Sequence, residues 1–566
     1  MARLFDEHVK REVKSLNGAW NFKADPTRTG EADEWQSGLT NVKSVIIPSV
    51  WNNILGMLEY EGVCWYEKKF FFNGGTLRLN FGAVMTYAKV YLDGEYLGEH
   101  YGGFCRFDFI KESVAEGMHT LTVRVDNSFD ENSIPQATVD WYHYGGITRD
   151  VEAQKLSGIC VLNNRFDYKI SGDNADCKFT VELFNAENTE ITDTLKIFVG
   201  DNAVIEKTVT LEPYEKATIV TDEFSVNAIR LWSPETPALY DVQLATSTDD
   251  LFDRVGFRTV EVKDAKIYLN GKRIKFCGIN RHEEHPDFGM AFPKALMQRD
   301  VDIIRGANCN SIRGSHYPNN PTFLDILDER GMMFFSEIPI WGGGFSKEAL
   351  GSPAVVERGL MMHKEMVREY YNHPSIVIWG MHNEIDTTLP EAYEMTRKYY
   401  EFLKSNGGNR LVTFATDHPI DDICLEFCDV ICINMYCGWY KTEMDYWPTF
   451  LADFEAKRKR LGYTEKPVIM SEFGAAAIYG HHTFDDLRWT EEYQARLLSY
   501  CIELFFSRDE YAGTFIWQYC DIRTAKEMGL NRARSFNNKG IVNEYRRPKL
   551  AYGAVRDTYK GLKEKM

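Results

Sequence analysis

From residue 276 onward, short apolar runs alternate with stretches of helical period, and few folds can absorb that pattern. The runs are 276–279, 311–313, 332–336, 376–379, 411–415, 430–434, 468–471 and 514–517. Strand–helix alternation marks a parallel α/β layer, and eight such units close into a (β/α)8 TIM barrel. The chemistry of such a barrel sits at the carboxyl ends of its strands, so the pattern also says where functional residues belong.

The chain before the barrel reads differently. Residues 77–125 alternate with period two, and Asp93-Gly94 sits between Lys89-Val90-Tyr91-Leu92 and Glu95-Tyr96-Leu97 as a hairpin turn. Helical period is scarce there, which predicts a jelly-roll-like antiparallel β-sandwich over 1–158. Short strands then recur at 177–184, 194–199, 204–211, 217–221 and 238–246, with a further strand over 251–262. That rhythm predicts an immunoglobulin-like sandwich over 159–263, leaving 264–566 for the barrel. A multidomain β plus α/β protein suits 566 residues, at roughly 150 per domain.

Charge and cysteine usage narrow the function classes. With 65 basic and 83 acidic residues the net charge is −18, which argues against nucleic acid or an anionic membrane as partner. No apolar run is long enough to span a bilayer, and the polar start at Met1–Trp20 lacks a signal-peptide core, so a cytoplasmic protein is expected. Among twelve cysteines only Cys424, Cys428, Cys432 and Cys437 cluster, at spacings that match no zinc or iron–sulfur pattern. Cys432, in an apolar run, reads as a small core residue; no metal and no cofactor are expected. The Gly-rich turn 341–344 is the expected flexible piece.

At and just past the predicted strands stand Asn280, Arg281 and His282; His316 and Tyr317; Asn383 and Glu384; Asn434 and Tyr436; Glu472; and Trp517. Glu384 follows the fourth strand and Glu472 the seventh, so a closed barrel sets them across one mouth. Two carboxylates flanking an aromatic-lined pocket suit glycoside hydrolysis: one protonates the leaving oxygen, the other meets the oxocarbenium-like centre. Spacing alone does not say which does which. Asn383 can hold a sugar hydroxyl, Tyr436 can bond the nucleophile or wall the pocket, and Trp517 can face the sugar or pack the core.

Four motifs in series carry a resemblance: Ser315-His316-Tyr317-Pro318, Trp379 through Asn383-Glu384, Asn434 through Tyr440, and Ser471-Glu472-Phe473-Gly474. They resemble those of glycoside hydrolase family 2, and within it the bacterial β-glucuronidases. The resemblance implies a retaining double displacement, with Glu384 as acid then base and Glu472 as nucleophile. In 536–540, Asn537 and Lys539 resemble the Asn-x-Lys motif of glucuronidases, where a Lys charge and an amide meet a uronic acid carboxylate.

The same resemblance points to Asp140, Tyr440, and one of Arg532 and Arg534 near the sugar, and leaves His316 as a hydroxyl partner or a structural residue. It implies a uronic-acid glycoside as substrate and a homo-oligomer. A β-galacturonidase or dual uronidase stays open, because Asn537 and Lys539 say little about the hydroxyl at carbon four. A β-galactosidase has no carboxylate for the lysine, and a non-catalytic sugar binder has no need of both acids. Ile385 stands where many relatives have Pro, and the short connection after Phe345 predicts an open mouth that favours bulky or oligosaccharide conjugates.

Overall fold

A computed structural model describes residues 3–564 apart from 201, 441 and 530. The period-two alternation of the first domain becomes an antiparallel sheet dominated by two long strands, Val63–Phe81 and Phe107–Asp126, paired almost end to end. Their register shifts between Gly75 and Leu77, letting the strands bend over a core that includes Trp20, Phe22, Tyr66, Leu79 and Val123. The Asp93-Gly94 hairpin joins Tyr87–Leu92 to Glu95–Tyr101, with φ of 52° and 84° at the two turn residues. Positive φ at both is what a two-residue type I′ hairpin requires.

The second domain is a sandwich of two four-stranded antiparallel sheets over one apolar core. One holds Ile159–Ser171, Asn174–Asn185, Lys216–Val220 and Phe224–Val226; the other holds Ile191–Val199, Asn202–Leu211, Tyr240–Ala245 and Asp250–Val255. The strand Ile159–Ser171 escaped the sequence reading because a bulge between Val161 and Asn163 interrupts its alternation.

The strand expected over 251–262 is instead two, Asp250–Val255 and Val260–Lys263, the second in a separate three-stranded sheet. The chain breaks there because buried Arg258 turns into the barrel and donates to the carbonyls of Pro374, Asn409 and Ile376. Burying a guanidinium without a carboxylate is tolerable only when carbonyls take its protons. Arg258 therefore fixes the second domain on the barrel wall.

The barrel closes in sequence order through Phe276–Asn280, Ser311–Gly314, Met333–Glu337, Ile376–Asn383, Leu411–Thr416, Ile431–Asn434, Val468–Glu472 and Tyr511–Ile516. Every residue of these strands is buried, inside against the barrel core or outside against helices. That is why the strands read as short continuous apolar runs rather than alternating ones. An amino-terminal strap ties the three domains together: Arg3 pairs with Asp325 of the barrel at 2.8 Å and Asp253 at 3.1 Å, and Arg11 pairs with Asp249 at 2.7 Å and bonds Gln154 at 3.0 Å. All twelve cysteines are buried thiols. Among the described residues no helix is long and apolar enough to cross a membrane.

Candidate active site

The barrel's carboxyl end gathers the strand-end residues into one polar cluster. Glu472, the last residue of the seventh strand, is gripped at both oxygens: Arg313 Nη1 donates to Oε1 at 2.8 Å and the Tyr436 hydroxyl to Oε2 at 2.6 Å. Two charge-assisted bonds, one to each oxygen, hold the carboxylate in one orientation. His316 brings Nε2 to 3.8 Å from the same Oε1.

Glu384 follows the fourth strand in the left-handed region, φ 52°, and Asn434 donates to its Oε1 at 2.8 Å. Burial pushes its carboxyl well above the usual range; the Glu472 charge and then Asp417 push the same way. Its neighbour Asn383 accepts from Arg313 at 2.7 Å and Asn434 at 3.0 Å, while its buried amide nitrogen has no hydrogen-bond partner among the described residues. In the turn at 341–344, Gly342 packs against this segment: a Cβ there would lie 1.5 Å from the Glu384 carbonyl oxygen.

Aromatic rings wall the cluster. Trp517, just beyond the eighth strand, stacks on His316 with centroids 5.1 Å apart and meets His282 edge-on at 5.4 Å. Trp141, from the first domain, packs against His316 and Trp341.

A second group borders the pair. Lys539 is buried, donates to the Tyr440 hydroxyl at 2.7 Å, and has its ammonium 4.8 Å and 5.5 Å from the ring centres of Tyr440 and Tyr436. No carboxylate lies within ion-pair distance of it among the described residues, although burying an ammonium normally demands one. Asp140 enters from the first domain and accepts from Arg532 Nη2 at 2.5 Å and Asn537 Nδ2 at 2.8 Å. Arg532 also reaches the Tyr440 hydroxyl at 3.4 Å. Arg534 points elsewhere, onto Glu544 at 2.9 Å and Asn538 at 3.1 Å, with its side chain 45% exposed. Of the two arginines left open by spacing, Arg532 is the one the fold brings to the cluster.

Two members of the cluster escaped the sequence reading, Arg313 and Glu337. Arg313 lies inside the second strand rather than beyond it, so a search of strand ends passes over it. Glu337 ends the third strand, and extending the strand-end search to that strand would have found it. Its two oxygens accept from Arg313 at 2.9 Å and 3.0 Å.

Comparison with known proteins agrees with this architecture. Three domain descriptions match in succession: glycosyl hydrolases family 2, sugar binding domain, over 13–156; glycosyl hydrolases family 2 over 161–258; and glycosyl hydrolases family 2, TIM barrel domain, over 260–564. A β-glucuronidase of Sus scrofa is 30% identical over 613 residues, covering 98% of this chain and 91% of its own. One from Paenibacillus borealis is 27% identical over 598 residues, covering 97% of each. Among solved structures, a β-galacturonidase from Eisenbergiella tayi bound to galacturonate superposes with a TM-score of 0.92 at 34% identity, covering 99% of each chain. A β-glucuronidase from Ruminococcus gnavus gives 0.88 at 25% identity, covering 98% of this chain and 99% of its own. On its three matched domains and whole-length relatives, the chain belongs to glycosyl hydrolase family 2 and is a glycoside hydrolase.

Proposed function

We propose that the chain is a retaining, exo-acting β-uronidase. The observation that carries this reading is Lys539, a buried ammonium with no carboxylate partner among the described residues, set beside the Glu384–Glu472 pair. A sugar whose sixth carbon is a carboxylate supplies the missing counter-charge, with Asn537, Tyr440 and Arg532 beside the lysine. A protein of net charge −18 needs this local attraction to hold an anion.

In the first displacement the Glu472 carboxylate attacks the anomeric carbon while Glu384 gives its proton to the glycosidic oxygen, and the aglycone leaves as an alcohol. In the second, Glu384, now a carboxylate, takes a proton from water; the oxygen attacks the anomeric carbon, and Glu472 departs as a carboxylate. The arrangement supports these roles: Glu384 is biased toward its protonated form by burial, whereas Glu472 meets a guanidinium and a hydroxyl donor.

β-Glucuronides are the first reading, from relatives matched over their whole length. β-Galacturonides are the second, favoured by the likeness to a structure bound to galacturonate. The test is kcat/KM on the p-nitrophenyl β-glucuronide, β-galacturonide, β-glucoside and β-galactoside, for wild type and Lys539→Ala. Uronides should lead, and the substitution should erase that lead; neutral sugars leading in the wild type would overturn the proposal. The ratio of the two uronides decides the sugar.

A further inference from the structure

Glu337 is a buried carboxylate beside Glu472 with no part in the double displacement, and its surroundings are built around it. It ends the third strand fully buried. Arg313, from the second strand, meets both its oxygens, and His316 Nδ1 lies 2.6 Å from Oε1. On the fourth strand Gly380 makes room: a Cβ there would lie 2.7 Å from that of Glu337 and 3.1 Å from its Oε2. On the sixth strand Cys432 faces it as a neutral thiol, pushed up to about 12 chiefly by burial. Beyond Arg313 stands Glu472, on the seventh strand. Arg313 is therefore shared between two carboxylates, only one of which reacts.

We propose that Glu337 is a positioning residue which, through a single proton shared with His316, sets how tightly Arg313 and His316 hold the Glu472 carboxylate. The proposal rests on the assignment of Glu472 as nucleophile. With Glu337 ionised, His316 Nδ1–H donates to it, Nε2 turns a bare lone pair toward Glu472, and Arg313 divides its charge between two carboxylates. Adding one proton to the pair places a hydrogen on Nε2, 3.8 Å from Glu472 Oε1, and leaves more of Arg313's charge to Glu472. The protonated state thus stabilises the Glu472 carboxylate, which weakens it as a nucleophile and improves it as a leaving group. Burial, against the pull of Arg313, sets Glu337 to about 7, so the exchange falls in the working range. His316 alone is pushed down to about 3, by burial first and then by Arg313, so the carboxyl governs the proton.

The test uses a 2,4-dinitrophenyl β-uronide, whose leaving group needs no acid, so that kcat/KM reports attack by Glu472 without the titration of Glu384. Between about pH 6 and about pH 8 the ratio of wild type to Glu337→Gln should grow by about tenfold, since only the wild type gains the ionised state. Glu284, which burial sets to about 7, titrates in both proteins and cancels. A ratio independent of pH would mean a structural role and overturn the proposal. Should Glu337→Gln not fold, Glu337→Asp withdraws the carboxylate from both partners and should flatten the wild-type rise; an unchanged rise overturns it equally. Trapping with a 2-deoxy-2-fluoro-β-uronosyl fluoride separates the two readings. Without a label on Glu472 the nucleophile assignment falls, whereas a label with a pH-independent ratio removes only the role of Glu337.

Discussion

The proposed reacting pair, Glu384 and Glu472, and the group around Lys539 border one another, yet they are built in opposite ways. Glu384 and Glu472 stand at the ends of buried parallel strands and are held by side chains of other barrel strands or the loops just beyond them. Lys539, Asn537 and Arg532 come from the long segment after the last strand, Tyr440 from the loop after the sixth, and Asp140 from another domain. On the proposed function, rigid backbone serves the atoms that must meet within tenths of an ångström, and loops serve the part of the ligand that distinguishes one sugar from another. The reacting pair should therefore tolerate almost nothing, and the lysine group should tolerate change at the cost of selectivity.

The largest expected effect breaks the first half of that contrast. Glu472→Gln should lower kcat by at least about 10⁴-fold on every substrate, because the proposed nucleophile has no substitute. Thermal unfolding should show the fold intact. Glu384→Gln should cost about 10³-fold on a glycoside with a poor leaving group and far less in the first step on a dinitrophenyl one, since only the former needs its proton. Equal losses on both would remove Glu384 as the acid.

The next effects sharpen the second half. Lys539→Ala should reduce kcat/KM on a uronide by about 10²-fold, the value of a buried charge-assisted bond of about 3 kcal/mol, and change neutral glycosides little. Arg532→Ala should cost about tenfold on the same uronide, and Arg534→Ala under about twofold, because Arg534 is spent on Glu544. Comparable losses from the two would mean that Arg532 has no special relation to the sugar.

The smallest effect lies in pH dependence. Burial and the Glu472 charge raise the Glu384 carboxyl, so the acid is protonated below its shifted value and lost as pH rises through it. kcat/KM on a p-nitrophenyl uronide should fall on the alkaline side, and that limb should vanish with a dinitrophenyl leaving group. A limb that persists would belong to another residue.

The strand ends were legible because each barrel strand is a short apolar run that stops where polar residues begin, as at Trp379-Gly380-Met381-His382 before Asn383-Glu384. Arg313 broke that rule by placing a charge within a strand, which is tolerable only because Glu337, Glu472 and Asn383 surround its guanidinium. The bulged strand Ile159–Ser171 was hidden for a related reason: its pattern makes sense only beside its partner.

The order of local patterns determined the architecture, two sandwiches and then a barrel, because periodicity records which faces are buried. It also placed Glu384 and Glu472 at one mouth, since a closed barrel admits only one end for its carboxyl termini. Tertiary structure alone decided that Arg532 and not Arg534 meets Asp140, that Lys539 is buried without a carboxylate among the described residues, and that Arg313 is divided between Glu337 and Glu472. The contacts among these join residues far apart in the chain, Asp140 with Arg532 and Arg313 with Glu472. Local spacing carries no information about charges that become neighbours only when distant strands or separate domains pack and exclude water.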